Sequence, residues 1–402
     1  MHLSLRIAAG LMLACVAPRA LADKTFPMGQ LVPAPLSASM EWGKGVRLRA
    51  GDFFLLQLST RLQIQGHVTL PTEEAVRAGA RPEVSAGVLV RRMRLVFSGH
   101  AFTPRLTYYV QLGLATRDME PDLLVPLRDA YLTWQPLRDL GVRLGQMKVP
   151  FGLQRLVSSS ALQMVDRSIV TTELSLDRDI GLYLLSEDFL GLGGRLMYQV
   201  GLFTGRGRNR GPAVDGILLV ARVQLNPFGR FDHLSEADHE RSPRPRLSVG
   251  ASLARNHNTN RSRSTHGPVY ASARFDYLSA GGDLHLKWRG LSLLTELMYR
   301  AAGEAAQTDG SGRTEYARSA LGYFVQVGFL PPLPLEACLR WGELFPLAPT
   351  DPTLRHEREA GGSLSFYFHE HALKLQTDYF VFLSDDLRAS RHQWRLQAQL
   401  VF

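Results

Sequence analysis

His392 to Phe402 read HQWRLQAQLVF. Trp394, Leu396, Ala398, Leu400 and Phe402 fall on one face of an extended chain, and Gln393, Arg395, Gln397 and Gln399 on the other. Side chains alternate along a strand, so the segment predicts a strand with one greasy and one wet surface. A single such segment could edge a soluble sheet. The pattern repeats, however, all the way back to Phe53. In LTYYVQLGL (106–114), Leu106, Tyr108, Val110, Leu112 and Leu114 oppose Thr107, Tyr109, Gln111 and Gly113. In AGGDLHLKW (280–288), Leu284, Leu286 and Trp288 oppose Asp283, His285 and Lys287. ALGYFVQVGFL (320–330) repeats the theme with Leu321, Tyr323, Val325, Val327 and Phe329.

Sixteen segments carry this alternation. They lie near 53–67, 88–99, 105–116, 127–135, 139–147, 179–187, 193–204, 216–225, 245–255, 281–288, 291–301, 319–330, 334–342, 360–369, 372–382 and 392–402. Most are close to the ~9–11 residues a tilted strand needs to cross a bilayer. Connections after even-numbered segments are turn-sized: HAFTP, PLR, DFLGL, RG, PPL and EH. Those after odd-numbered segments are long: 68–87, 117–126, 148–178, 205–215, 256–280, 302–318, 343–359 and 383–391. Tight turns at one end and long loops at the other are the rhythm of an outer-membrane barrel. One connection, 226–244, is long where a short one is expected. The fold class implied is all-β: a transmembrane antiparallel up-and-down barrel of about sixteen strands. Trp134, Trp288, Tyr299, Trp341, Trp394 and Phe402 suit its interfacial girdles.

Composition agrees. Hydrophobic residues make up 45%, as expected for half-apolar strands, and no later run approaches the ~18 apolar residues of a spanning helix. Residues 1–22 read as a cleaved signal peptide, with Arg6, an apolar stretch from Ile7 to Ala17, and Ala20-Leu21-Ala22 before Asp23. A buried N-terminal helix would leave that A-x-A motif unexplained, and a lipoprotein anchored at Cys15 would cut the apolar stretch short. Cleavage leaves Cys338 alone, so no intrachain disulfide is expected. Residues 23–52 show no periodicity and are assigned to an N-terminal periplasmic segment, and 53–402 to the barrel. The formal net charge is +9. Two Arg and no acid lie in the signal, leaving 44 basic against 37 acidic residues. Such a charge suits a cationic aqueous lumen better than nucleic acid, which an exported chain rarely meets.

The alternation turns Arg92, Arg94, Arg143, Arg195, Arg222, Arg246, Lys287, Arg340 and Arg395 inward, with Asp129, Asp283, Glu296, Glu336 and Asp378. On the lipid side an Arg or Lys would cost ~2–4 kcal/mol at mid-bilayer. These charges can form a solvated wall of internal ion pairs, or an electrostatic filter whose fixed cations favour anions. The connection 148–178 holds Phe151, Leu153, Leu156, Leu162, Met164 and Val165, more apolar side chains than a free loop needs. It is expected to fold back into the lumen. Lys148, Arg155, Arg167 and Arg178 would then stand at the constriction against Asp166, Glu173 and Asp177, a small excess that implies mild anion preference. No G-x-S-x-G, Walker A or H-E-x-x-H string is present, so no catalysis, metal or cofactor is expected. DHLSEADHE (232–240) reads as a solvated turn, and His369 with His371 lacks a third metal ligand.

The segments RRMRLVFSGHAF (91–102), LRDAYLTW (127–134), VRLGQMKVPFGLQRLVSSSALQMVDRS (142–168), DRDIGLYL (177–184) and YQVGLFTGRGRN (198–209) resemble the phosphate-selective porin O and P family. Arg91-Arg92, GQMKVPFGLQ (145–154), Asp166-Arg167-Ser168 and Arg178-Asp179-Ile180-Gly181 carry the likeness most clearly. The resemblance implies a sixteen-stranded homotrimeric porin of the bacterial outer membrane with loop three inside, and it makes Lys148, Arg155, Arg167 and Arg178 loop-three candidates. The family's lysine clusters have no counterpart here, which detaches phosphate specificity from the likeness. The expected function is diffusion of small hydrophilic solutes, with a mild anion preference that could extend to phosphate. Outer-membrane lipids and small anions are the expected partners. The candidates for the pore are Arg92, Arg94, Arg143, Lys148, Arg155, Arg167, Arg178 and Arg395. A barrel enzyme such as a lipase, or a plugged structural barrel, is the alternative.

Overall fold

The structure is a computed structural model that describes residues 35–402 except 73–75, 77–83, 121, 212–215 and 384–388. The expected signal peptide, residues 1–22, lies outside the described residues.

Sixteen long strands form one antiparallel sheet. In chain order, β1 to β4 are Phe54–Pro71, Ser85–Ala101, Leu106–Gly113 and Leu127–Leu137. Strands β5 to β8 are Leu140–Lys148, Arg178–Ser186, Leu196–Phe203 and Ile217–Leu225. Strands β9 to β12 are Arg246–Thr259, Phe275–Trp288, Leu291–Ala302 and Ala320–Phe329. Strands β13 to β16 are Leu335–Pro346, Glu357–His369, Leu373–Leu383 and Ala389–Val401. Each pairs with its sequence neighbours, and β16 closes on β1 with Trp394 opposite Val68 and Gln399 opposite Gln63. Closure is forced by the solvent: in hydrocarbon an unpaired sheet edge has no water to satisfy it.

All sixteen expected strands are present, displaced at their ends by a few residues. The alternation does what the sequence implies. In β16, Trp394 and Leu396 are 47% and 38% exposed on the outer wall, whereas Gln397 and Gln399 are 1% and 2% exposed inside.

One segment departs from expectation. Within 23–52, Ser37–Glu41 and Gly45–Ala50 form a hairpin whose second strand pairs with β1, Val46 opposite Leu58 and Ala50 opposite Phe54. Among the described residues β16 pairs with β1 only from Thr60 onward, where Phe402 N donates to Thr60 O at 3.0 Å, and the hairpin pairs with the stretch of β1 before it. An unpaired edge recruits a strand, and the hairpin supplies it.

Among the described residues, two connections fold into the lumen. One is the expected loop, 149–177. It carries helices α1 (Leu153–Leu156) and α2 (Ile169–Leu174), the latter capped by Ser168 Oγ accepting from Thr171 N at 3.0 Å. The other is the anomalous connection 226–244. It is a genuine insertion at the short-turn end, and it is no solvated turn: Phe231, Glu236, Ala237 and Asp238 are buried. It folds up inside the barrel until Glu236 N donates to Ala161 O at 3.0 Å in the loop above.

Candidate permeation channel

The inner faces of β11 to β13 are built as a seat. Where the inner wall of a membrane barrel is ordinarily polar, Leu294, Met298, Phe324 and Leu344 point inward and bury Phe151, Leu153, Val157, Val170 and Leu174 of the loop. Gly322 leaves room for Val170, which would stand 3.0 Å from a Cβ there. Gly328 does the same for Gln163, whose amide would lie at 2.1 Å. That amide donates to Ser292 Oγ and Glu336 Oε1, each at 2.6 Å.

Charge ties the loop down on both sides. Glu173 pairs with Arg300 at 2.6 Å, Arg263 at 2.7 Å and Arg318 at 2.9 Å. Burial works to raise its pKa, but Arg300, Arg318 and Arg263 outweigh burial and hold it at about 2. Asp166 accepts from Arg91 and Arg92 at 2.9 Å and lies 3.5 Å from Arg395. There too burial opposes ionisation, and the surrounding guanidiniums keep the carboxyl well below the usual range. Glu236 of the insertion joins the same network, accepting from Gln163 N at 2.8 Å, Gln326 Nε2 at 2.9 Å and Gln154 Nε2 at 3.1 Å.

Two β-bulges sharpen the opposite wall. In a regular strand Arg91 and Arg92 would face opposite sides. The register slips between Gln63 and Ile64, which pair with Arg92 and Val90, and the extra residue lets both guanidiniums reach Asp166. A second slip, with Gln111 opposite Asp129 and Leu112 opposite Leu127, turns both Arg128 and Asp129 inward. Bulges redirect side chains in this way, and here they spare an arginine a lipid-facing position.

What remains open is a cavity of about 950 Å³ along β1 to β8. Its lining runs from Arg117, Asp118 and Arg208 at the long-loop end to Glu187 and Arg230 at the short-turn end. Among the described residues, fourteen Arg or Lys line it against six Asp or Glu. The excess is far larger than the loop's own sequence implies. Ten of the fourteen cations lie outside loop three (148–178), and within it Glu173 and Asp166 turn to the wall while Lys148, Arg155 and Arg167 face the cavity.

Of the candidates, Arg92, Arg94, Arg143, Lys148, Arg155, Arg167 and Arg178 line this cavity. Several are committed to carboxylates: Arg94 to Asp118 at 2.8 Å, Arg155 to Asp177 at 3.1 Å, Arg178 to Asp129 at 3.0 Å. Others are not. Lys148 donates to Leu156 O at 2.7 Å and Val157 O at 3.1 Å, and Arg167 to Val157 O at 2.6 Å. Both therefore cap the carbonyl end of α1. Arg143 donates to Thr133 Oγ1 at 2.8 Å. Arg395 does not line the cavity. It is paired with Asp378 at 2.7 Å on the filled side. Among the residues missed, Arg61 lines the cavity and donates to Ser159 Oγ at 3.1 Å, with no carboxylate among the described residues. Its signal was present, since it shares the face of Gln63 and Gln65.

A sixteen-stranded barrel, greasy outside, wet inside and narrowed by its third long loop, defines the porins of the outer membrane. Several solved structures share this fold. The outer membrane channel DcaP of Acinetobacter baumannii is 12% identical, with a TM-score of 0.55 over 86% of this chain and 97% of that one. Salmonella typhi OmpF, solved in complex with daunomycin, is 14% identical, with a TM-score of 0.55 over 87% and 98%. An anion-selective porin from Comamonas acidovorans is 11% identical, with a TM-score of 0.53 over 86% and 99%. No curated protein matches the sequence. The phosphate-selective porin O and P profile matches residues 79–332, and the chain belongs to that family. It is an outer-membrane channel for small solutes.

Proposed function

We propose that the channel passes small hydrophilic anions by diffusion, in preference to cations. One observation carries the reading: the open half of the lumen is lined by fourteen basic and six acidic residues, and Arg61, Arg143, Lys148 and Arg167 there have no carboxylate partner among the described residues. Fixed cations along a narrow path raise the local concentration of anions and exclude cations. The anion-selective porin of similar fold adds support. Among the described residues Lys148 is the one lysine of the lining, so the wall offers phosphate planar guanidinium forks rather than lysine clusters, and a phosphate preference over chloride is expected to be small. The family resemblance favours a homotrimer.

Reversal potentials across planar bilayers in a KCl gradient test this. Arg155→Glu with Arg167→Glu is expected to reduce the anion preference. Wild-type protein that prefers potassium over chloride overturns the proposal. Competition of phosphate against the chloride current measures the remaining question of selectivity.

A further inference from the structure

The channel wall is not uniformly cationic. On β3 to β6 three tyrosines and one arginine form a column. Tyr109 stacks on Tyr131 with ring centroids 5.2 Å apart and planes 15° from parallel. Arg143 lies over the Tyr131 ring at 4.5 Å and over the Tyr183 ring at 5.2 Å. Since β4 sits between β3 and β5, Tyr131 is flanked by Tyr109 on one side and by the guanidinium on the other. Its faces are occupied, and its edge is what the cavity meets.

Arg143 is held rigidly. Nε donates to Thr133 Oγ1 at 2.8 Å and Nη1 to Tyr183 Oη at 2.5 Å. Nη2 has no partner among the described residues and is not among the buried orphaned atoms. A fixed guanidinium between two aromatic rings, with one free N–H edge toward water and no carboxylate, is a preorganised anion receptor. The neighbouring tyrosine edges carry partial positive charge and accept the face of another ring.

We propose that Arg143 with the edges of Tyr109 and Tyr131 forms a subsite for aromatic monocarboxylates: the carboxylate takes the free Nη2, and the ligand's ring lies face-on to the tyrosine edges. This rests on the anion-diffusion reading above and narrows its substrate class. Inorganic anions use only the guanidinium. Saturated acids of the same size lose the edge-to-face contact.

The test compares block of chloride current by benzoate and by cyclohexanecarboxylate, which match in charge and bulk. Benzoate is expected to half-block wild-type channels at a concentration about three- to tenfold lower, the span of an aromatic pair. Tyr131→Leu, or Tyr109→Leu should the first not fold, is expected to bring the two concentrations together. Arg143→Gln is expected to weaken both. Equal block of an anion-selective wild-type channel overturns the subsite alone, as does a benzoate advantage that survives the tyrosine substitutions. A channel without anion preference overturns the functional reading and the subsite with it.

Discussion

The two halves of the lumen start from similar chemistry and end in different states. Along β10 to β15, Arg340, Lys374 and Asp378 are buried beneath loop three: Arg340 lies 2.9 Å from Glu359, and Lys374 donates to Leu162 O at 2.8 Å. Along β1 to β8, Arg61, Arg143 and Lys148 face open space with hydroxyls and carbonyls as their only hydrogen-bonding partners among the described residues. Inward charge is common to both. Free charge belongs to one. An arginine inside a barrel therefore says little about permeation until what covers it is known.

The insertion offers the largest way to break this contrast. Replacing 229–243 with a short Gly-Ser turn removes Glu236, which ties loop three to the floor of the filled half. Single-channel conductance is expected to rise severalfold; an unchanged conductance would mean that the insertion fills no permeable space. Glu173→Gln comes next. It strands Arg263, Arg300 and Arg318 around a neutral amide, and breaking a buried ion cluster costs about 3–5 kcal/mol. Loop three should loosen, seen as current noise and as faster maleimide labelling of Cys338, which is buried behind it.

Acid should separate the two lumenal segments. Burial first, then Lys374 and Lys287, hold His239 of the insertion at about 4, below its ordinary 6.5. A histidine kept neutral by the fold contributes stability above pH 6.5, and that stability is lost as pH falls from 6.5 toward 4. Glu173 has the opposite charge and a lower window. Its contribution is intact above 4.5 and is lost between 4.5 and about 2. Protease sensitivity of the insertion is thus expected to appear near pH 5, with loop three still seated. Simultaneous release would show that the two act as one body. Smallest is the paired-against-free comparison. Arg61→Gln should lower the chloride-to-potassium permeability ratio about twofold to threefold, since it removes one unpartnered charge from a lining of many. Arg340→Gln should leave the ratio unchanged and instead lower heat resistance.

Much of the barrel was legible because its rules are local. Each strand must show hydrocarbon to lipid on every second residue, and each pairs with its sequence neighbour. Strand number, facing and the alternation of turns with loops can therefore be read segment by segment. The bulges were half-legible. Arg91-Arg92 and Arg128-Asp129 each put two adjacent charges in a strand, and neither can face lipid, so a register slip is the way to turn both inward. The N-terminal hairpin escaped because its partner, the first part of β1, lies beyond any local signal in 37–50. The insertion was visible as an anomaly of length, but its direction was not, because Asp232 to Glu240 looks equally suited to water.

The sequence alone determined a closed, water-filled cylinder with arginines on its inner face, since lipid tolerates neither bare backbone nor guanidinium. Which of those arginines meet solutes was decided only by the tertiary structure. That outcome depends on contacts between residues far apart in the chain, such as Gln163 with Glu336 and Glu173 with Arg300, which cover one wall and leave the other exposed.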